Sequence, residues 1–425
     1  MSAPTLDTTA REALASACAE VADPDGHDGH DDVDGVRPGL VARPTDVAQV
    51  AEVMRVATAH DLVVVPRGRG TKLAWGAPPT RADVLLDLAG LDAVLDHQAG
   101  DLIVAAQAGA RLSAVQEVAG SADQRLALDE TVPGTSIGGL LATNTSGPGR
   151  VAVGSARDLL IGVTVVRADG VVAKAGGRVV KNVAGYDLGK LLIGSLGTLA
   201  VVVDATFRLH PRPAARTWVS APAATPAEAQ RLTQAVLHAQ AVPGAIEVEW
   251  PRDAQGNGGV VSVLLEGRED GVDARAATVR GLLGAAASES TDAPAAGAAY
   301  PWDTGARGDE RSLALKCTFA LSGLADVLGA AERAGAHVRG SAGAGVVYAA
   351  LPPGTGAEEA RAAVEGLRRA TTARGGSTVV VDAPAHLKAG LDVWGPVPAL
   401  DLMRRVKDQL DPDHRLAPGR FVGGI

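Results

Sequence analysis

Hydrophobic positions change period several times along the chain, and each change marks an element. Val47, Val50, Met54 and Ala57 recur at helical spacing behind Thr45, a residue type that caps helices. The unbroken run Leu62, Val63, Val64 and Val65 predicts a buried strand that stops at Pro66. Residues 160–166 and 171–173 flank Asp169-Gly170, a dipeptide suited to a two-residue hairpin turn. Val203, Ala205, Phe207 and Leu209 alternate with Asp204, Thr206, Arg208 and His210, the period of a half-buried strand. Pro211 and Pro213 then close the region.

Beyond them Thr225-Pro226-Ala227-Glu228 has the form of a capping box with Pro at the first helical position, predicting a helix to about Ala239. Strands near 245–250 and 259–266 and a helix near 272–283 complete a β-α-β-β-α set. Residues 285–299, rich in Ala, Ser, Gly and Pro, read as a surface loop. A second set follows to about Asp382, opening with Leu313, Leu315, Cys317 and Phe319 on one strand face, so Cys317 reads as core rather than nucleophile. At the other end, a short helical pattern leads into an acidic stretch with Asp23, Asp25, His27, Asp28, His30, Asp31, Asp32 and Asp34. Carboxylates and imidazoles suit a cation, but no metal-loop spacing is kept, and a solvated loop is predicted. Three regions result: 1–38, an N-terminal helix and acidic loop; 39–213; and 214–425.

Composition narrows the class. A chain of 425 residues suits two or three domains. Hydrophobic residues at 46% and charged ones at 21% are ordinary globular values, while aromatics at 3% leave Ala, Val and Leu to fill the core. The net charge of −9, with no run of Lys and Arg, argues against nucleic acid as a partner. Cys18 and Cys317 alone cannot make a disulfide framework or ligate an iron–sulfur cluster within the chain. No apolar run approaches the ~20 residues that span a bilayer, and the first ten residues lack a signal-peptide pattern. A cytoplasmic location without direct membrane insertion is expected.

The candidate chemistry lies in glycine loops. No segment has the three spaced glycines of a Rossmann turn, and Lys72 lacks the flanking residues of a nucleotide-triphosphatase phosphate loop. Instead Pro66, Arg67, Gly68, Arg69, Gly70, Thr71, Lys72 and, after Leu73-Ala74-Trp75, Gly76 follow a buried strand directly. Glycines there let the main chain approach a ligand, and successive N–H groups form a nest for anionic oxygens such as those of a diphosphate. A second loop contains Pro133, Gly134, Thr135, Ser136, Gly138 and Gly139, and leads to Asn144, Ser146 and Gly147. A third runs from Gly176-Gly177-Arg178 through Lys181-Asn182-Val183-Ala184-Gly185-Tyr186-Asp187-Leu188 to Gly194-Ser195-Leu196-Gly197-Thr198.

From about Arg43 to Pro211 these loops resemble the FAD-binding domain of the p-cresol methylhydroxylase and vanillyl-alcohol oxidase family. The C-terminal residues Leu402-Met403, Val406-Lys407, Leu410-Asp411-Pro412 and Leu416-Ala417-Pro418-Gly419-Arg420-Phe421 resemble that family's tail. The resemblance implies an α+β fold: a two-subdomain FAD-binding domain of the p-cresol methylhydroxylase (PCMH) type, followed by a smaller ferredoxin-like α+β cap. It implies that the first two loops wrap the FAD diphosphate, that Asn182 and Tyr186 contact the cofactor, and that Gly197, Thr198 and Val201 meet its adenosine half. Some relatives attach the flavin through a His in the first loop; Arg69, Gly70 and Thr71 stand there instead, implying non-covalent FAD.

Within the family, residues 181–188 most resemble the glycolate oxidase flavin subunits, and the short chain resembles the shorter, FAD-binding one of that complex more than the longer one. That implies oxidation of a 2-hydroxy acid, glycolate to glyoxylate, in a hetero-oligomer with a second flavin subunit and an iron–sulfur subunit. Catalytic relatives carry a cap motif of His, Gly, Asp, Gly and Asn; the comparable His337-Val338-Arg339-Gly340-Ser341-Ala342-Gly343-Ala344-Gly345 lacks the Asp and Asn. A free-standing FAD-dependent alcohol or 2-hydroxy-acid oxidase and a non-catalytic scaffold therefore stay open beside the subunit reading. Arg311, Lys316, His337 and Arg339 are the cap residues to test for holding a substrate carboxylate, and neither a catalytic base nor a metal ligand is assigned.

Overall fold

The structure, a computed structural model, describes residues 4, 6–25, 30–177, 187–252, 258–294 and 299–425. They divide into two compact units, one of Met1–Thr145, Ser155–Pro211 and Val397–Ile425, the other of Ser146–Gly154 and Arg212–Pro396. The C-terminal 29 residues, expected within the cap, thus cluster with the first unit. The reason is a set of buried polar contacts described below.

In the first unit, α1 (Thr8–Ala17) starts at Asp7, whose carboxylate accepts the Ala10 N–H. A four-stranded sheet has the order β1 (Glu20–Ala22), β2 (Leu40–Arg43), β4 (Val84–Asp87), β3 (Val64–Arg67), with the last three parallel. Val84, Leu85 and Leu86 are all buried, the continuous apolar run that a covered parallel strand requires. The predicted strand at β3 continues two residues past Val65, so Pro66 sits inside it. Between β2 and β3 runs α2 (Val47–Ala59), burying Val50, Val53, Met54 and Ala57 on one stripe. Its cap is Asp46, whose side chain accepts the Gln49 N–H; Thr45 instead receives the Gln49 side-chain amide.

A second, antiparallel sheet has the order β5 (Val94–Gln98), β6 (Ile103–Gln107), β9 (Val201–Arg208), β7 (Leu160–Val166), β8 (Val172–Gly176). The hairpin turn between β7 and β8 falls at Asp169-Gly170, where Gly170 has φ +78°. Along β9, Val201, Val203, Ala205 and Phe207 are buried and alternate with half-buried residues, as the period-2 pattern predicts. Helices α3 (Leu112–Gly120) and α4 (Ile137–Thr143) pack on this sheet in a core with Val104, Ala106 and Phe207.

The second unit repeats one motif. Strand β10 (Ala215–Ala223), α5 (Pro226–Leu237), β11 (Ala245–Trp250), β12 (Gly259–Gly267), α6 (Glu269–Leu283) and β13 (Ser288–Ser290) form a first βαββαβ set. Strand β14 (Leu313–Thr318), α7 (Leu324–Arg333), β15 (His337–Ser341), β16 (Val346–Leu351), α8 (Ala357–Thr372) and β17 (Ser377–Asp382) form a second. The eight strands make one antiparallel sheet in the order β13-β10-β12-β11-β15-β16-β14-β17. Each half has the ferredoxin-like order, fourth-first-third-second, and their second strands β11 and β15 join edge to edge from Glu247↔Ser341 to Trp250↔Val338. Thr225 caps α5 by accepting the Glu228 N–H, while the Glu228 carboxylate reaches one residue further back, to the Ala224 N–H. Cys317 is buried in the apolar core between sheet and helices, and burial pushes its thiol up to about 12, so it is not a nucleophile.

Candidate functional site

Strand β3 delivers the first glycine loop. Gly68 lies where a Cβ would stand 2.1 Å from Ser136 Oγ, and a Cβ on Gly138 would stand 2.9 Å from Ala108 Cβ. The first two loops therefore touch through positions that tolerate no side chain. Ser136 caps α4 by accepting the Gly139 N–H at 3.2 Å. The third loop joins them at Gly197, with φ +77°, whose Cβ position is 3.4 Å from the Pro66 ring. Pro66, Gly68, Gly138, Gly139 and Gly197 line one cleft with Ala108, Leu88 and Ala142.

The three loops differ in what they offer. Among the described residues, the main-chain N–H groups of Gly68, Arg69, Gly70 and Thr71 have no hydrogen-bond partner, and Gly70 takes φ +73°. Successive N–H groups without a protein partner are what an anion nest requires. The second loop spends its donors internally: Gly134 on Glu130, Thr135 on Val132, Ile137 on Ala110, Gly138 on Ala108. It shapes the cleft more than it charges it. Asn144 ends α4 at φ 49°, and its buried Oδ1 has no partner among the described residues. Bare donors, excluded Cβ positions and one orphaned acceptor fit a dinucleotide with a diphosphate bridge.

The side chains of the first loop have other work. Arg67 bonds Asp31 at 2.6 Å and Asp87 at 2.7 Å. Asp31 is only 3% exposed, so the acidic stretch predicted to be solvated is anchored here at that residue. Arg69 donates to the Gly109 carbonyl and pairs with Asp92. Lys72 is buried, donates to Thr135 Oγ1 at 2.7 Å, and is pushed down to about 7 by desolvation, with Glu130 opposing. Gly76 also has φ above zero, at +79°. Pro133 is exposed, Thr198 is buried, and the Val201 side chain belongs to a core cluster. Ser146 and Gly147 group with the second unit, where the Ser146 hydroxyl accepts from Arg150 at 2.9 Å. Asn182 and Tyr186 lie outside the described residues. Ala108 and Leu88, which the sequence reading misses, stand just past strand ends; their only signal is small or apolar character within two residues of a glycine.

In the second unit, one sheet face meets the helices and the other carries a polar row. Glu249, Arg339, Tyr348 and Lys316 are successive cross-strand partners, so their side chains share that face. Burial works against charge on Glu249, but hydrogen bonds from His337 at 2.6 Å and from Arg339 outweigh it and hold the carboxyl below its usual range. Arg311 is tied to Asp382 at 2.7 Å. Of the four cap residues singled out, only Lys316 has no ion-pair or hydrogen-bond partner among the described residues. Tyr300 and Trp302 stack on each other with centroids 4.6 Å apart, and both meet Tyr348 edge-on. Among the described residues no cluster of His, Cys, Asp or Glu could hold a metal ion. No helix there is long and apolar enough to cross a membrane.

Comparison with known proteins follows the same division. Residues 38–176 match the family model described as FAD binding domain. D-2-hydroxyglutarate dehydrogenase of Xanthomonas citri pv. viticola is 38% identical over 177 residues, covering 41% of this chain and 38% of that protein. Glycolate oxidase subunit GlcD of Bacillus subtilis is 28% identical over 211 residues, 49% of this chain and 45% of the relative. The matched stretch thus spans less than half of either relative. The fold of the whole chain is that of p-cresol methylhydroxylase with substrate bound, at TM-score 0.76 and 15% identity over 97% of this chain and 96% of the other. Alkyldihydroxyacetonephosphate synthase aligns at TM-score 0.72 and 16% identity, over 99% of this chain and 86% of that one. Residues 38–176 form an FAD binding domain on a chain with the PCMH-type α+β fold, and FAD is its cofactor.

Proposed function

We propose that this chain is an FAD-dependent oxidoreductase that oxidises a 2-hydroxy acid, working as the flavin-binding subunit of a glycolate oxidase or dehydrogenase complex. The observation that carries it is the unpaired Lys316 on a sheet face whose other charges neutralise one another. Glu249 accepts from both His337 and Arg339, so Lys316 is the cation left for a substrate carboxylate. FAD, held non-covalently with its diphosphate on the N–H groups of 68–71, supplies the two-electron acceptor. Oxidation of a 2-hydroxy acid is what the names of those two relatives describe for them.

The purified holoprotein, mixed anaerobically with glycolate or D-lactate, is expected to lose its visible flavin absorbance. Bleaching only after a second flavin subunit and an iron–sulfur subunit are added supports the subunit reading. No bleaching under either condition leaves the scaffold reading standing. Lys316→Met should raise KM for the acid by about 10- to 100-fold, the effect of losing a charge-assisted hydrogen bond, while leaving the flavin spectrum unchanged. An unaltered KM places the carboxylate elsewhere.

A further inference from the structure

The C-terminal segment sends one buried cation to each of two cofactor loops. Lys407, on the helix Leu400–Leu410, is fully buried and places its ammonium 2.7 Å from the Thr198 carbonyl, 2.9 Å from the Leu416 carbonyl and 2.6 Å from Asp411. All three ammonium donors are thereby used. Asp411 in turn accepts the main-chain N–H groups of Arg415 and Leu416. Thr198 closes the turn in which Leu196 has φ 54° and Gly197 φ +77°, the turn that lies against Pro66. Two consecutive left-handed residues, the first carrying a side chain, need a fixed neighbour to persist.

Arg420 does the same for the first loop. It is 3% exposed and donates to the carbonyls of Leu73 at 2.9 Å and Trp75 at 2.7 Å, the residues between Lys72 and Gly76. Next to it the tail pairs in parallel with β3 at Leu416 and Val64, immediately before the glycines begin. A solvent-facing role is ruled out for both side chains by their burial, and each ends on main-chain oxygens of a loop that lines the cleft.

We propose that Lys407 and Arg420 are positioning residues for FAD, holding the turn at 194–198 and the loop at 66–76 in binding geometry without touching the cofactor. The paired variant Lys407→Met with Asp411→Leu replaces a buried ion pair by apolar groups of similar volume, a change that folds often tolerate. It removes the anchor on Thr198 together with the pair's contacts to the Leu416 carbonyl and to the Arg415 and Leu416 N–H groups. FAD affinity, read by flavin fluorescence quenching on the refolded apoprotein at a temperature where circular dichroism shows it folded, is expected to fall about tenfold or more. Affinity within twofold of the parent overturns the proposal. If the paired variant does not fold, hydrogen exchange on the parent apoprotein decides. Amides of 196–198 and 73–76 opening together with the C-terminal helix support the proposal, and loops opening independently of it overturn it. A parent chain that binds no FAD at all would instead defeat the cofactor assignment, so the two failures are distinguishable.

Discussion

Gly68→Val is expected to weaken FAD binding by at least about tenfold, roughly 1.4 kcal/mol, in a flavin fluorescence titration. A Cβ at this position would meet Ser136 Oγ at 2.1 Å and Ser136 Cβ at 3.2 Å, before either valine methyl is counted. Ser136 cannot simply turn away, because its hydroxyl accepts the Gly139 N–H and caps α4; losing such a cap costs about 1 kcal/mol. The first loop must then shift, carrying the unpaired N–H groups of 68–71 with it. Overpacking of this kind typically costs about 1–3 kcal/mol. The cause can be isolated with the smaller change Gly68→Ala: adding Ser136→Ala removes the struck oxygen, and should recover part of the lost affinity in a double-mutant cycle. FAD affinity unaffected by Gly68→Val would move the diphosphate away from this loop.

How much of this was readable in advance depends on whether the signal was local. The alternation along β9 and the Asp-Gly turn between β7 and β8 are written within a few residues, and the structure has them where the periods place them, while the apolar run leads into β3 with the strand shifted to Val64–Arg67. The β-α-β-β-α run of the first set and the alternation of helices and strands in the second were legible for the same reason. Strand β13 was not, because all three of its residues are exposed and it joins the sheet only through backbone pairing with β10. Its composition, Ser-Glu-Ser, is that of a loop.

The partners of the first loop were invisible for a different reason. Asp31 belongs to a run of acids that reads as solvated, and nothing near it reveals that Arg67, 36 residues on, draws this one member into the interior. Lys407 lies on a helix rich in charged residues, yet it is buried and is one of the groups that attach the tail to the first unit. Charges that are buried because a distant main-chain oxygen meets them leave no periodic trace. The resemblance of the tail to a known family pointed to its importance, and only the contacts show what it holds.

Lys72 provides the second large effect, one of pH. In the folded protein its pKa is pushed down to about 7 by burial, whereas an unfolded chain keeps a lysine protonated to about 10.4. Between those values the unfolded state binds more protons, so the stability of the apoprotein rises with pH from about 7 to 10 through this group, by an amount on the order of 4 kcal/mol. Below pH 7 both states are charged and the folded one bears the full cost of the buried ammonium, which among the described residues has only the hydroxyls of Thr135 and Thr71 for hydrogen bonds. Urea unfolding of the parent and of Lys72→Met at pH 7, 8, 9 and 10 isolates the effect as a difference, free of the other titrating groups. That difference should grow steadily over the range, and a flat difference would show that Lys72 is not held neutral by burial. FAD changes the sign. On the proposed placement, a diphosphate on the N–H groups of 68–71 adds two negative charges to the loop that carries Lys72 and favours the ammonium. Binding then takes up a proton above pH 7, and FAD affinity should fall by up to about tenfold per pH unit as pH rises past 8, in the parent but not in Lys72→Met. A dissociation constant independent of pH in the parent would place the diphosphate out of reach of this lysine, and with it the assignment of the first loop as the anion-binding half of the cleft.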